Sequence, residues 1–293
     1  MREHPTNSTR RQMSISSVKK AALAIATSAV LAFTLGGCAT TAAPEAAPNE
    51  LPTITAGKLT IGTGLPAYEP WVVGDAPENA EGFEAAVAYA IAAELGFAPE
   101  DVVWVRTTFD EAIAPGAKTF DFNLQQYSIT PERAEAVDFS SPYYSTAQTV
   151  ITVAGSKAAE ATSLADLKGL LIGAATGTTS FSAIETVIAP TAGAQAFNSN
   201  DDAKAALANG QVDAIVVDLP TAFYLTAVEL DGGKILGQLA GAEAGDSFGL
   251  VLDKGSPLTA AVSAAVDALR ASGRLAELES IWLADFAGAP VLK

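Results

Sequence analysis

Tyr127-Ser128-Ile129-Thr130-Pro131-Glu132-Arg133, continuing to Asp138-Phe139-Ser140-Ser141-Pro142-Tyr143-Tyr144, is the stretch on which the reading of the chain turns. Thr130 followed by Pro131 marks a helix start, a hydroxyl N-cap with proline at the first helical position. Runs of strand length flank it, 120–124 before and 148–153 after. The alternation continues outward on both sides.

Upstream, 59–63 reads as a strand. Phe83, Val87, Ile91 and Leu95 recur every four residues, which predicts an amphipathic helix over 81–95 closed by Gly96. A strand over 102–105 and a short helix over 109–114 follow. Downstream, a strand over 170–174 leads through Thr176-Gly177-Thr178-Thr179-Ser180 into a helix reaching Ile188. A helix over 201–208, a buried strand over 212–217 and a helix over 220–229 come next. A strand over 247–252 precedes two final helices, 257–270 and 274–286, parted by Ser272-Gly273. Strands alternating with helices predict an α/β fold with mostly parallel sheets. Roughly 240 ordered residues predict two domains rather than one.

Composition excludes several chemistries. The chain has 293 residues, a formal charge of −16 and 49% apolar residues, so a sizeable core is available. Binding to nucleic acid is not expected, because a phosphate backbone calls for a basic face. The single histidine is His4 and the single cysteine is Cys38. No internal disulfide and no Cys/His zinc site can therefore be built; if the N-terminus is removed no histidine remains and a Ser-His-Asp triad is impossible as well, and neither metal nor cofactor is expected.

The N-terminus reads as an export address. Arg2, Arg10, Arg11, Lys19 and Lys20 precede an uncharged apolar run from Ala21 to Leu35. At 1.5 Å per residue that run reaches about 22 Å, short of a bilayer span, and matches the apolar core of a signal peptide. Leu35-Gly36-Gly37-Cys38 resembles a bacterial lipobox, which implies a signal peptide over 1–37 and acylation of Cys38. Arg10-Arg11 also admits twin-arginine export, which the following Gln12-Met13-Ser14 fits poorly. Residues 1–37 hold five of the 17 Lys and Arg and one of the 33 Asp and Glu, so the remainder carries −20. The Ala-, Thr- and Pro-rich stretch 38–56 reads as a tether.

Four segments, in order, resemble the family of bacterial extracellular solute-binding proteins that serve polar amino-acid ABC transporters. They are Gly57–Thr63 with Tyr68-Glu69-Pro70-Trp71; Glu81-Gly82-Phe83-Glu84; the 127–144 stretch; and Gly173 to Ser180 with Gly177-Thr178-Thr179. The resemblance implies a periplasmic-binding-protein-like fold: two α/β lobes with a ligand cleft between them and a two-strand hinge. Lobe 1 is then 57–148 with 245–293, and lobe 2, inserted, is 149–244. It further implies a monomeric, non-enzymatic protein at the outer face of the cell membrane, held by lipid, handing a polar amino acid to a permease. Alternatives of other classes are a ligand-sensing subunit and a dehydratase-type enzyme on the same fold.

An α-amino acid presents a carboxylate, an ammonium and a side chain. Arg133 is the candidate for the carboxylate, since a guanidinium can bind it bidentately; a surface arginine paired with Glu132 or Glu135 is the plain alternative. Ser128 and the helix start at Thr178, Thr179 and Ser180 can add donors to the same anion. Asp218 ends the apolar strand 212–217, where α/β sheets bind ligands. It is the candidate for the ammonium, with helix capping as the alternative. Tyr68 and Trp71 can wall the ligand side chain, with loop packing as the alternative. Gln125 and Gln126 stand where relatives carry small residues and can select a polar side chain. Glu84 replaces the aspartate common after Gly-Phe and reads as structural. Gly64, Leu65, Pro66 and Ala67 replace an acid found in relatives for cationic amino acids, which lowers the expectation of a lysine or arginine ligand.

Overall fold

In the computed structural model, which describes residues 51–240, 246–283 and 288–293, the run Leu59–Gly64 forms strand β1 and is buried along its whole length. A strand covered on both faces needs such a continuous apolar run. The chain continues through α1 (Phe83–Glu94), β2 (Val102–Thr107), α2 (Phe109–Ile113), β3 (Phe122–Asn123), α3 (Pro131–Ala136) and β4 (Val137–Phe139). It crosses along β5 (Tyr144–Thr146) into a second set of elements. These are β6 (Gln148–Val153), α4 (Leu164–Leu167), β7 (Ile172–Ala175), α5 (Thr179–Ala183), β8 (Gln195–Phe197), α6 (Asn200–Ala208), β9 (Ala214–Asp218), α7 (Leu219–Tyr224) and β10 (Gly233–Leu239). The chain returns along β11 (Asp246–Phe248) to β12 (Val251–Asp253), α8 (Thr259–Ala271) and α9 (Arg274–Trp282), and reaches β13 (Val291–Leu292).

Two mixed sheets result, ordered β2-β1-β3-β12-β4 and β13-β10-β6-β9-β7-β8. The crossing strands β5 and β11 pair with each other, antiparallel, between them. We call the first sheet with its helices lobe 1 and the second lobe 2.

The lobe 1 core gathers Leu59, Ile61, Phe83, Val87, Ile91, Phe122, Val262 and Leu278. The period-four apolar face of α1 supplies three of these, each worth roughly 1.5–3 kcal/mol of burial. Gly96, at φ +82°, turns the chain out of that helix. In lobe 2 the alternation of side chains across a strand is plain. Val150 and Val216 face one core with Ile172 and Ile184, while Ile151, Ile215 and Val217 face another with α6 and α7.

The structure departs from the sequence expectations in definite ways. The stretch 247–252 is two strands, one in the crossing pair and one in the lobe 1 sheet. Gly249 lies between them, where an added Cβ would come within 2.8 Å of Ile129. Strands β4, β5, β8, β10 and β13 carried no sequence expectation. The sheets are mixed rather than mostly parallel, because β12 runs antiparallel to β3 and β4, and β6 runs antiparallel to β9 and β10. The last helix stops at Trp282, and residues 284–287 lie outside the described residues. Strand β13 joins β10 in the lobe 2 sheet, so the C-terminal segment divides between lobes instead of staying wholly with lobe 1. The end of the 38–56 stretch is docked: Leu51 packs on the lobe 1 core and the Ile54 N–H donates to Asp121 Oδ1 at 2.8 Å. The signal peptide and Cys38 lie outside the described residues.

Candidate functional site

Arg133 is placed by its own helix start. The Thr130 hydroxyl accepts from the Arg133 N–H at 3.2 Å and Pro131 opens the first turn, which aims the guanidinium toward lobe 2. Nη1 donates to the Ser128 carbonyl at 2.7 Å and Nη2 to the Gly177 carbonyl, on lobe 2, at 2.8 Å. The cation stacks over the Phe109 ring, 5.3 Å from its centroid. Among the described residues it pairs with neither Glu132 nor Glu135, so the surface-pair alternative does not hold. Desolvation lowers its pKa, against the opposing influence of Tyr127, Asp246, Asp218 and Asp110.

Lobe 2 answers with the turn before α5. Gly177 adopts φ +71°, which glycine takes without strain. Thr179 Oγ1 lies 3.2 Å from Ser128 Oγ of lobe 1 and donates to Asp246 Oδ2 at 2.7 Å. The Thr178 hydroxyl is used within its own turn, accepting from the Phe181 N–H and donating to the Ala175 carbonyl. Thr178 is thus a cap first and a wall of the site second. Gly177→Ala should weaken ligand binding several-fold and lower the melting temperature by about 2–8 °C. A left-handed Ala costs about 1–2 kcal/mol, and the strain would fall on the carbonyl that Arg133 grips; calorimetry beside a melting curve checks this.

Asp218 ends β9 at the N-cap position of α7, yet its side chain makes no capping hydrogen bond. Its Oδ1 instead accepts from Gln148 Nε2 at 2.8 Å. Gln148 is a hub that sequence reasoning missed. Its amide also donates to Thr179 Oγ1 at 3.3 Å and to Asp246 Oδ2, and it accepts from Ser180 Oγ at 2.5 Å. Burial, then the Asp246 carboxylate, push the Asp218 carboxyl up to about 8, while Gln148 and Arg133 work in the opposite direction. The signal for Gln148 was faint: one amide opening an otherwise apolar strand.

Trp71 is 1% exposed and packs edge-on to Phe83, Tyr144 and Phe248, so most of its surface serves the core. Its indole N–H donates across the lobes to Thr221 Oγ1 at 2.9 Å. Tyr68 has a buried hydroxyl with no hydrogen bond of good geometry among the described residues, and burial, then Asp201 of lobe 2, raise its pKa. Gln125 Oε1 accepts from the Tyr127 hydroxyl at 3.0 Å. Gln126 is tied to Glu84 through both its backbone N–H and its side-chain amide, so that amide is occupied within the protein.

One cavity of about 150 Å³ between the lobes is lined by all ten of the ligand-contact candidates, Tyr68, Trp71, Gln125, Gln126, Ser128, Arg133, Thr178, Thr179, Ser180 and Asp218. Thr63, Glu84, Phe109, Asn198 and Asn200 are among the other residues of its wall. Among the described residues no cluster of three His, Cys, Asp or Glu side chains could hold a metal ion. A cavity of this size, with a guanidinium on one wall and a carboxyl on another, suits a small zwitterion.

The sequence model of the bacterial extracellular solute-binding proteins, family 3, matches residues 59–285. The chain belongs to that family. Over a 242-residue alignment that covers 78% of this solute-binding protein and 89% of the other chain, it is 31% identical to an L-arginine-binding protein of Pseudomonas aeruginosa. An ancestral arginine-binding protein bound to arginine shares the fold with a TM-score of 0.64 and 29% identity, over 78% of this chain and 98% of that one. An ancestral arginine-binding protein bound to glutamine aligns with a TM-score of 0.66 and 29% identity, over 78% and 99%. The solute-binding family accounts for both lobes together, since its match begins at β1 and runs past α9.

Proposed function

We propose that this protein is the lipid-anchored substrate-binding protein of an ABC importer. It captures a polar amino acid in the interlobe cleft at the outer face of the membrane and delivers it to the permease. The observation that carries the reading is the pair Arg133 and Asp218. They stand on different lobes, line one cavity, and offer a guanidinium to a carboxylate and a carboxyl, ionised when it meets the cation, to an ammonium. The amino-acid-binding relatives support the ligand class. In this reading Arg133, Ser128, Thr179 and Ser180 hold the carboxylate, Asp218 holds the ammonium, and Tyr68, Trp71 and Gln125 face the side chain. Lobe 1 comprises 57–147 with 246–283, and lobe 2 comprises 148–240 with the terminal strand. The lobes rotate about the β5–β11 pair and close on the ligand, because Arg133–Gly177, Ser128–Thr179 and Trp71–Thr221 contacts form only when they meet.

Thermal-shift screening of the soluble domain against the amino acids tests the ligand class. A ligand at 100 times its dissociation constant should stabilise by roughly 2.7 kcal/mol, and no shift with any amino acid would refute the reading. The anchor is tested separately. Cys38→Ser should release the protein from the membrane fraction or leave it unprocessed, whereas a processed mutant that still sediments with membranes would disprove acylation at Cys38.

A further inference from the structure

We propose that Glu84 is a positioning residue of the binding cleft: its carboxylate holds Gln126 in a left-handed backbone conformation and so shapes the wall from Gln125 to Ser128. The inference rests on the amino-acid-binding reading above. It does not follow from the resemblance, under which Glu84 is merely structural and Gln126 a ligand contact.

Three observations meet at this carboxylate. Glu84 is 1% exposed in the first turn of α1 and also lines the interlobe cavity. A buried carboxylate is tolerated only when donors satisfy it, and three converge here. They are the Gln126 N–H at 2.8 Å, the Gln126 side-chain amide and the Tyr143 hydroxyl. Gln126 itself sits at φ +52°, a backbone state that L-residues other than glycine adopt rarely and at a cost.

The two facts explain each other. A charge-assisted N–H bond to residue 126 and a second bond to its own side chain offset the backbone cost. With 126 turned left-handed, Tyr127 goes fully into the core and the Ser128 hydroxyl meets Thr179 across the cleft. The Ser128 carbonyl is also the acceptor for Arg133. Glu84 thereby acts on the ligand through the wall of the cleft rather than by touching it. Strain held by surrounding structure at a ligand clamp is a recurrent pattern.

A merely structural acid and this positioning role differ in what rescues them. Glycine adopts φ +52° without strain, so Gln126→Gly should relieve the loss of Glu84 if the backbone state is what Glu84 secures. We expect Glu84→Gln to lose at least about tenfold in affinity for the amino acid that most stabilises the wild type. The double variant Glu84→Gln/Gln126→Gly should return to within about threefold of wild type. A single variant that binds as wild type, or a double variant as weak as the single, would overturn the proposal.

A ligand-free double-mutant cycle reads the same coupling by melting. Gln126→Gly should raise the melting temperature by about 2–4 °C more in the Glu84→Gln background than in the wild type. Equal shifts in both backgrounds would overturn the proposal as well. If Glu84→Gln does not fold, Glu84→Asp, one methylene shorter, replaces it in both measurements. A wild type that responds to no amino acid defeats the functional reading alone, because the melting cycle still decides for or against Glu84.

Discussion

Arg133→Ala should abolish amino-acid binding in a protein that still folds. The guanidinium donates to the Ser128 carbonyl and lies over the Phe109 ring, both on its own lobe, so its geometry is fixed before a ligand arrives, and closure adds the Gly177 carbonyl of lobe 2. A bidentate carboxylate pair has two charge-assisted hydrogen bonds, each worth roughly 1.5–3 kcal/mol. Losing both costs at least a hundred-fold in affinity at about 1.4 kcal/mol per tenfold. Truncation also leaves the Ser128 and Gly177 carbonyls without this donor, which removes one link between the lobes. Arg133→Lys should recover only part of the loss, because an ammonium is a point donor without the planar fork. Calorimetry on variants whose melting curves remain cooperative measures this, and near-normal affinity for the Ala variant would remove Arg133 from the site.

The second large effect belongs to Asp218. Burial and Asp246 push its carboxyl up to about 8, so at neutral pH the ligand-free protein holds it mostly protonated. An ammonium ligand binds the ionised form. Affinity should therefore rise with pH by up to about tenfold per unit below pH 8 and level off above it. Asp218→Asn removes this group. Measured at pH 8.5, it should weaken amino-acid binding by ten- to a hundred-fold, the worth of about 1.5–3 kcal/mol. An analogue lacking the α-amino group should lose little. Any slope that persists below pH 7 then belongs to Glu84, whose carboxyl burial pushes up to about 7.

Stability should move the opposite way. A carboxyl whose folded pKa lies above its unfolded value destabilises the fold progressively as pH rises from about 4 to 8. Without ligand, Asp218→Asn should accordingly melt higher than wild type at pH 8–9 and about equal to it at pH 4. A capping role would predict small, equal losses for both ligands, since Asn caps as well as Asp. The side chain bonds Gln148 and not the start of α7.

Much of the site was legible because it rests on local chemistry. Thr130 and Pro131 cap α3 as their order implies, and that cap is what directs Arg133. Gly177 precedes a helix start that its neighbours Thr178 and Thr179 mark. The residues that escaped notice take their roles from partners far along the chain. Gln148 matters because Asp218 and Asp246 lie 70 and 98 residues away. Glu84 matters because Gln126 lies 42 residues away. Gln126 was expected to face the ligand; it lines the cavity, and one N–H of its amide is given to the Glu84 carboxylate.

By itself the sequence determined the α/β class, the strands β1 and β6, the burial of β9, the face of α1 and the absence of histidine chemistry in the described region. Each follows from residue type, spacing or periodicity over at least one turn or one strand. Tertiary structure alone decided β4, β5, β8 and β13, strands of two or three residues, since so short a run contains no period to read. It decided which sheet β13 joins, the left-handed state of Gln126 and the raised carboxyls of Glu84 and Asp218. The common reason is that strand pairing, desolvation and charge proximity are set by what lies across the fold, and neighbours in space are not neighbours in sequence.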